Sequence, residues 1–426
     1  MLLLLLACST APDVDSLPNV VLVSLDTVRW DGTSLGGEHL TTPNLVALSE
    51  LPGATTYTRA WSAAAWSLPS YASILTGQTV GSHGVGFVRD TLPPGQATLA
   101  EMLGAYGYAS ASFASGPHLH PDTGLGRGFD EWNHTLTFDS ISGVIDPALE
   151  WAEEQDEPFL LFVQGYDAHM PYPTPAAVAE RFGHVDGPRP DAGCGMRAVA
   201  TCVPGHVLAP ARGGHKGGTE LTEDALQHVA SHYLAAVHGA DHQLGRLLYG
   251  LDQRGLLADS IVVVFSDHGE VLGGDARAED LYHVPLVVRV PSTASPVVEE
   301  GLVSLIDILP SLADELGVVS PAGIDGQPLG SRDYVLAASA VGYTVRTQDW
   351  ELELQHGSEQ TLLYRPGEWT DRSEEEPEVV EELLAHLEGW PLELEVKKRH
   401  GPTDTPAFRD ALRDGGYWAP EEGEEP

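Results

Sequence analysis

Four residues from three distant segments carry side chains that together suit attack on an anionic ester. Ser67 opens a segment of small residues with a proline two positions later, which predicts the first turn of a helix. The unpaired N–H groups and the dipole of a helix start favour a nucleophilic oxygen in its ionised form. Asp26 follows an early apolar run, and Asp267 with His268 follows a late one. Ionisable residues beside buried runs require a ligand or a partner, because burial of a charge is costly.

This set predicts a site for one divalent cation with Asp26, Asp267, His268 and the Ser67 hydroxyl as ligands. Oxygen ligands with one imidazole suit Ca²⁺, Mg²⁺ or Mn²⁺, with Zn²⁺ as an alternative. The cation would neutralise an ester oxyanion and lower the pKa of the Ser67 hydroxyl. Taken singly, Ser67 could be a helix cap and each aspartate a turn cap. Their joint occurrence favours the metal site.

The elements around these residues predict an α/β fold. Helical patterns alternate with apolar, β-branched runs, which are typical of strands covered on both faces. Such alternation predicts a mostly parallel central sheet sandwiched by helices, with functional groups at the carboxyl ends of strands. The predicted strands are residues 19–25, 159–163, 261–265 and 285–290, and the predicted helices are residues 97–106, 146–155 and 222–254.

Shifts in composition predict the domain organisation. Residues 19–317 form the predicted catalytic domain, in which residues 173–219, rich in Pro, Gly and His, are an inserted loop. Short strand patterns and one helix predict a small α+β subdomain over residues 318–398. The acidic tail, residues 399–426, is predicted to be disordered.

The N-terminus indicates an exported protein, in which a close pair of cysteines is typical of a disulfide. Residues 1–18 resemble a bacterial lipoprotein signal and tether with Cys8 as the lipidated residue, although the basic region of a secretory signal is missing. We therefore expect a location in the bacterial cell envelope, lipid-anchored on the periplasmic or outer-membrane face, or otherwise secretion. Cys194 and Cys202 are expected to pair as a disulfide, with free thiols or a partial metal site as alternatives.

The net charge of −40 constrains the partners. Nucleic acid is excluded as a partner, because phosphate backbones are bound through basic surfaces. The same field repels an anionic substrate at long range, so a site for one needs a local cation or helix dipole.

These motifs resemble the sulfatase family of the alkaline phosphatase superfamily from Asn19 to about Trp390. The resemblance implies that Ser67 is the nucleophile, which many members oxidise to formylglycine, and that Asp26, Asp267 and His268 are metal ligands. It also implies that His169 contacts the substrate and protonates the leaving group, and that His118 matches the histidine of a Lys-x-His element. The matching segments are residues 19–27, 67–70, 75–77, 124–130, 169–172, 266–270, 284–286 and 307–312.

The chain departs from the family pattern at three site positions. Tyr71 stands where the motif that matures to formylglycine has Arg, Thr27 where many members have a second ligating Asp, and Gly116 in place of the Lys. Arg29 is the early basic residue nearest in sequence to the metal cluster, so it could hold the substrate anion or form a surface ion pair.

The sequence thus predicts a metal-dependent hydrolase of sulfate esters. An alternative is a phosphodiesterase, phosphonate hydrolase or phosphoethanolamine-type transferase that uses the Ser67 oxygen directly. A third possibility is a sulfatase-like binding lipoprotein that has lost catalysis, because few cationic groups remain to bind an anion. The expected substrate is a small-molecule or glycan sulfate or phosphate ester.

Overall fold

The computed structural model describes residues 17–86, 90–156, 158–170, 172, 174–183, 223–272, 278–339, 342–355 and 361–389. The expected lipid anchor at Cys8, the expected disulfide of Cys194 with Cys202, the acidic tail and most of the inserted loop lie outside these residues. Within the described ranges, no helix is both long and apolar enough to cross a lipid bilayer.

A central sheet of eight strands forms the body of the chain. Its order is β4-β3-β5-β1-β6-β7-β2-β8, and β7 alone runs antiparallel to its neighbours, so the predicted mostly parallel sheet is confirmed. The strands are β1 (Asn19–Leu25), β2 (Ala54–Trp61), β3 (Ala109–Ala114), β4 (Glu131–His134), β5 (Phe159–Gly165), β6 (Ser260–Phe265), β7 (His283–Arg289) and β8 (Val297–Ser304).

Strand β1 lies in the middle of the sheet between β5 and β6, and all three are parallel. Leu25 pairs with Gly165 of β5, and Ser24 pairs with Phe265 of β6. Because the three strands end level with one another, the residues that follow them meet at one edge of the sheet.

Helices cover both faces of the sheet, which explains why its strands are apolar throughout. Val21 and Val23 of β1 face one core cluster, whereas Val20 and Leu22 face the other. The helices are α1 (Pro43–Ser49), α2 (Ser67–Thr76), α3 (Val80–His83), α4 (Leu99–Gly104), α5 (Ser142–Glu153), α6 (Ala176–Ala179), α7 (Glu223–Gln253), α8 (Ala278–Tyr282), α9 (Ile308–Glu315) and α10 (Pro377–Ala385).

A second sheet follows the central one in the chain. Its strands are β9 (Tyr334–Ala338), β10 (Gly342–Thr347), β11 (Glu351–Gln355) and β12 (Thr361–Tyr364), and they form an antiparallel meander. Together with α10 it has the small α+β composition expected of the C-terminal part. A β-bridge between Ala64 and Ala338 connects it to the segment just before α2.

The last turn of α3 contains a buried histidine that makes stability depend on pH. Burial lowers the pKa of His83 from 6.5 to about 3. Its Nδ1 accepts the Val85 N–H at 3.0 Å, so Nε2 carries the proton and bonds Ser73 Oγ at 2.9 Å. The neutral imidazole is therefore the form that fits, and protonation would cost the Val85 hydrogen bond.

We expect acid to destabilise the protein through His83. Its folded pKa lies below its unfolded pKa, so its contribution is complete above pH 6.5 and is lost as pH falls toward 3. At pH 5 the loss is about 2 kcal/mol, since each pH unit per proton is worth about 1.4 kcal/mol. The unfolding free energy can be measured with urea at several pH values between 7.5 and about 4. Its slope against pH should be smaller in His83→Gln than in the wild-type protein, by the amount that corresponds to roughly one proton.

His39→Gln is the matched control for this experiment, because His39 is exposed. The pH dependence of its unfolding free energy is the reference for the loss of an exposed histidine. An identical dependence in His83→Gln and the wild-type protein would contradict the assignment to His83.

Candidate metal and nucleophile site

The structure brings the four residues of the predicted site together at the carboxyl edge of the central sheet. One ligand atom from each of Asp26, Asp267 and His268 lies within 4.8 Å of the other two, and all three residues are buried. Ser67 Oγ lies 3.3 Å from Asp26 Oδ2 and 3.4 Å from His268 Nε2. Segments that are some two hundred residues apart in sequence thus form one compact polar cluster.

Helix α2 carries Ser67 into this cluster. The helix begins at Ser67, as predicted, with Trp66 as an extended N-cap residue. Because Ser67 is the first residue of the helix, its hydroxyl lies at the positive end of the helix dipole. The residue is fully buried, so this hydroxyl is away from bulk water. One turn later Ser70 Oγ donates to the Asp267 carbonyl at 2.6 Å, which fixes the helix start against the end of β6.

The turn after β1 is held in a strained conformation. Thr27 has a φ of 58°, the one positive φ outside glycine among the residues that the structure describes. This conformation is costly for a β-branched residue and occurs mostly where function requires it. Val28 N–H donates to Ser266 Oγ at 2.8 Å, and Thr27 N–H faces Asp267 Oδ1 at 3.4 Å. The hydroxyl of Tyr233 on α7 donates to the Thr27 carbonyl at 2.9 Å.

The tautomer of His268 is set by its backbone. Nδ1 lies 2.7 Å from the Gly269 carbonyl, which can only accept, so Nδ1 carries the proton. In the neutral ring Nε2 then presents a lone pair, the form in which histidine binds metals. This lone pair lies 3.4 Å from Asp267 Oδ2, which is itself an acceptor. Two acceptors at this distance without a shared proton call for a cation.

The carboxylates give the same indication. Asp26 Oδ1 and Asp267 Oδ2 are buried oxygens without a hydrogen-bond partner. The groups that donate hydrogen bonds to Asp26 are neutral: Ser67, Tyr71 and Gln164, the last through Nε2 at 3.3 Å. Burial, and then the charge of Asp267, raises the pKa of Asp26 well above its ordinary value. In the part of the chain described here neither carboxylate is paired with Lys or Arg, so a divalent cation fits the cluster.

His118 and His169 lie at the same edge of the sheet, next to this cluster. His118 follows β3 in a 3-10 turn, with its ring edge-on to Trp66 at 5.9 Å between centroids. Burial and the nearby His169 and His268 lower the pKa of His118 to about 3. Burial lowers the pKa of His169 to about 4, and its Nδ1 bonds the Met170 carbonyl at 2.6 Å. Both imidazoles are therefore neutral at pH 7.

Tyr71 occupies the position where the resemblance implies arginine, and its environment explains the exchange. It is fully buried one turn after Ser67, with its ring edge-on to Phe162. The hydroxyl shares a hydrogen bond with Ser24 Oγ at 2.9 Å and donates to Asp26 Oδ2 at 3.3 Å. A neutral donor thus orients a predicted metal ligand.

The structure brings two residues to this edge of the sheet that sequence reasoning missed. Gln164 and Tyr166 come from the end of β5, next to β1, and Gln164 reaches Asp26 directly. A signal for them exists in the sequence, since they follow a predicted strand just as Asp26 and Asp267 do. Thr27, at the position where many family members have a second ligating Asp, donates from its hydroxyl to the Asp26 carbonyl at 2.8 Å.

Arg29 is engaged in ion pairs. Its guanidinium lies 2.6 Å from Asp31 Oδ2 and 2.7 Å from Asp280 Oδ1. Although burial lowers the pKa of Arg29, the hydrogen bond and charge of Asp31 and the charge of Asp280 raise it above its ordinary value. The ion pair that the sequence also allowed is the arrangement observed, and contact of Arg29 with a substrate anion stays a prediction.

Comparison with known proteins gives the class that this fold and cluster define. A family model described as Sulfatase matches residues 18–318, well over half of the chain. The chain belongs to the sulfatase family.

Relatives are similar along much of their length. Mouse arylsulfatase K is 23% identical over 399 residues, which cover 84% of this chain and 71% of that protein. An arylsulfatase of Clostridium perfringens is 23% identical, with coverage of 87% and 95%. A crystal structure of a phosphonate monoester hydrolase of Agrobacterium radiobacter matches the fold with a TM-score of 0.70 at 22% identity, covering 86% of this chain and 95% of that one.

Proposed function

We propose that this protein is a metal-dependent hydrolase of sulfate esters in which residue 67 supplies the nucleophile. The observation that carries the proposal is the position of Ser67 Oγ, 3.3 Å from Asp26 and 3.4 Å from His268 at the start of α2. Membership of the sulfatase family supports sulfate as the group transferred. The curated relatives named arylsulfatase point to the same chemistry.

Asp26, Asp267, His268 and the Ser67 oxygen would hold the cation, because they present acceptors that no Lys or Arg among the described residues pairs with. Ca²⁺, Mg²⁺ or Mn²⁺ suits this donor set, and Zn²⁺ also accepts one imidazole with carboxylates. When bound, such a cation supplies Lewis acidity toward the ester oxygens and lowers the pKa of the nucleophile.

The other groups of the cluster orient the reacting atoms and handle protons. Asp26 Oδ2 accepts from Ser67 and Tyr71, and these two hydrogen bonds fix the nucleophile and the carboxylate relative to each other. His169 donates from Nδ1 to a carbonyl, so its Nε2 is the atom that can take and return a proton. Because the pKa of His169 is lowered, the ring is neutral at first and Nε2 can accept a proton. Once protonated, the ring is a strong acid that can donate this proton to the leaving group.

The wall beside His169 suits a ring-shaped alcohol. A cavity of about 210 Å³ is lined by Phe138, Tyr166, His169, Met170 and Pro175, among others. The Phe138 ring is stacked on His169 with centroids 5.4 Å apart. Flat apolar surfaces of this kind bind aromatic or sugar rings.

Hydrolysis of phosphonate monoesters or phosphodiesters is the second candidate, and the presence of Tyr71 favours it. Since arginine at this position accompanies maturation to formylglycine in the family pattern, its replacement favours an unmodified Ser67 oxygen. A serine oxygen that attacks phosphorus directly displaces the leaving alkoxide and becomes esterified itself, giving a serine phosphonate ester from a phosphonate monoester or a serine phosphodiester from a phosphodiester.

The test combines turnover with the chemical state of residue 67. Purified protein with added Ca²⁺, Mg²⁺ or Mn²⁺ should hydrolyse an aryl sulfate faster than an aryl phosphate. Peptide mass spectrometry then distinguishes formylglycine, lighter than serine by two hydrogen atoms, from unmodified serine and from serine that carries a phosphonyl or phosphoryl ester. Preference for an aryl phosphonate monoester, with its phosphonyl group esterified to Ser67, would replace the proposal by the second candidate. No turnover of any ester and no bound metal would leave only a binding protein.

A further inference from the structure

Tyr166 is the residue at the carboxyl edge of the sheet to which nothing above assigns a role. Gly165 of β5 pairs with Leu25 of β1, so Tyr166 directly follows β5 just as Asp26 directly follows β1. Strands β5, β1 and β6 are neighbours in this order, and Tyr166, Asp26 and Asp267 follow their respective ends. A residue that leaves the sheet here lies at the same edge as the predicted metal ligands.

The phenol of Tyr166 fills the space that a side chain at position 116 would need. A Cβ atom on Gly116 would lie 2.3 Å from Tyr166 Cε2 and 2.9 Å from its hydroxyl oxygen. Gly116 also has a φ of +85°, which disfavours any other residue. Since the resemblance implies lysine at 116, the aromatic side chain lies where the family pattern has a cation.

The surroundings of Tyr166 are those of a site residue. It is 4% exposed and packs edge-on against Phe138 and His169, with centroid distances of 4.7 and 5.3 Å. It also lines the cavity of about 210 Å³ beside His169. The charges of Asp267 and Asp26 and the nearby Tyr166 add to burial in raising the pKa of Tyr71, which brings the two phenols into one electrostatic environment.

We propose that Tyr166 is a substrate-contacting residue whose phenol donates a hydrogen bond to a non-bridging oxygen of the ester, in the place of a lysine at 116. The role rests on the proposed function, because it presumes that an anionic ester binds beside Ser67. Lysines cannot supply the contact from the described residues, since Lys216, Lys397 and Lys398 are the lysines of the chain and all lie outside them.

Tyr166→Phe tests the hydrogen bond, because it removes one oxygen and keeps the ring packing. Inorganic sulfate is the probe, titrated by calorimetry into protein supplied with Ca²⁺. A hydrogen bond to a charged group is worth enough that sulfate affinity should fall about tenfold or more. The kcat/KM for an aryl sulfate should fall by a similar factor, while the thermal midpoint changes little.

Tyr108→Phe is the matched control. Its hydroxyl donates to the Pro18 carbonyl at 2.7 Å, at the opposite edge of the sheet, so this variant should bind sulfate like the wild-type protein. Equal sulfate affinity in Tyr166→Phe and Tyr108→Phe, or no sulfate binding by the wild-type protein, would overturn the role of Tyr166. Weakened sulfate binding in Tyr166→Phe without turnover of any ester by the wild-type protein would uphold it and reject hydrolysis.

A second pair of variants tests the shared space. Gly116→Lys alone should lower the thermal midpoint, because its Cβ collides with the Tyr166 ring. Adding Tyr166→Ala should recover part of that loss, which is the coupling expected of two side chains that compete for one volume. Purely additive effects of the two substitutions would contradict the competition.

Discussion

Asp267→Asn is expected to stabilise the metal-free protein and to destabilise the protein in the presence of its metal. Asp267 is fully buried, its Oδ2 lacks a hydrogen-bond partner, and the Asp26 carboxylate lies within the same cluster of 4.8 Å. Asparagine removes one of two repelling charges, and its amide can donate to the lone pair of His268 Nε2. With metal removed by EDTA, the unfolding free energy of the variant should therefore exceed that of the wild-type protein by about 1–3 kcal/mol.

With divalent metal the order should reverse. A ligand at one thousand times its Kd adds about 4.1 kcal/mol to the wild-type stability, which exceeds the gain of about 1–3 kcal/mol expected from asparagine. The variant lacks one charged ligand and should gain little. Thermal unfolding in EDTA and in CaCl₂, MgCl₂ or MnCl₂ measures both arms, and metal analysis of the dialysed proteins gives the stoichiometry.

Asp307→Asn provides the contrast that isolates the missing cation. Asp307 is equally buried, but Arg332 donates to both of its carboxylate oxygens. Its replacement leaves a partly buried guanidinium without its charge partner and should destabilise the protein by about 3 kcal/mol with or without metal. If Asp267→Asn lowers the unfolding free energy in EDTA as Asp307→Asn does, the two carboxylates of the site do not form a cation-binding site.

Ser67→Ala is expected to abolish turnover while leaving the fold intact. The residue is the one hydroxyl observed within 3.4 Å of both Asp26 and His268 in the described structure. Removal of a nucleophile costs about 10³-fold or more in kcat, because residual rates come from binding and electrostatic stabilisation alone. Steady-state kinetics on an aryl sulfate measures the loss, and circular dichroism checks the fold.

Ser73→Ala is the control on the same helix. Ser73 is also buried, but its hydroxyl bonds His83 rather than the cluster. It should reduce stability slightly and leave kcat unchanged. Retention of more than about a tenth of the activity in Ser67→Ala would exclude residue 67 as the nucleophile.

The sequence by itself determined the parts of the site that follow continuous apolar strands. The runs at 19–25 and 261–265 are apolar on both faces because helices cover both faces of the sheet. A continuous apolar run of this kind can be recognised directly in the sequence. Asp26, Asp267 and His268 stand out because charged groups follow these runs. Ser67 stands out through the proline two residues later, which marks a helix start.

The sequence also predicted the long helix α7 to within one residue at each end, because its apolar side repeats over many turns. Strands β2, β3 and β8 were not predicted. Small and polar residues such as Ser110, Ser112, Glu299 and Glu300 interrupt them, and pairing with neighbouring strands rather than local preference fixes their conformation.

Only the tertiary structure decided which groups complete the site. Tyr71 reaches Asp26 through a turn of helix, Gln164 reaches it across two paired strands, and Tyr166 takes the volume left by Gly116. Arg29 turns instead to Asp31 and Asp280. Such contacts depend on strand register and on which side chain occupies the space between two packed segments. Neither quantity is encoded by the spacing of residues along the chain, because both are set where distant segments pack.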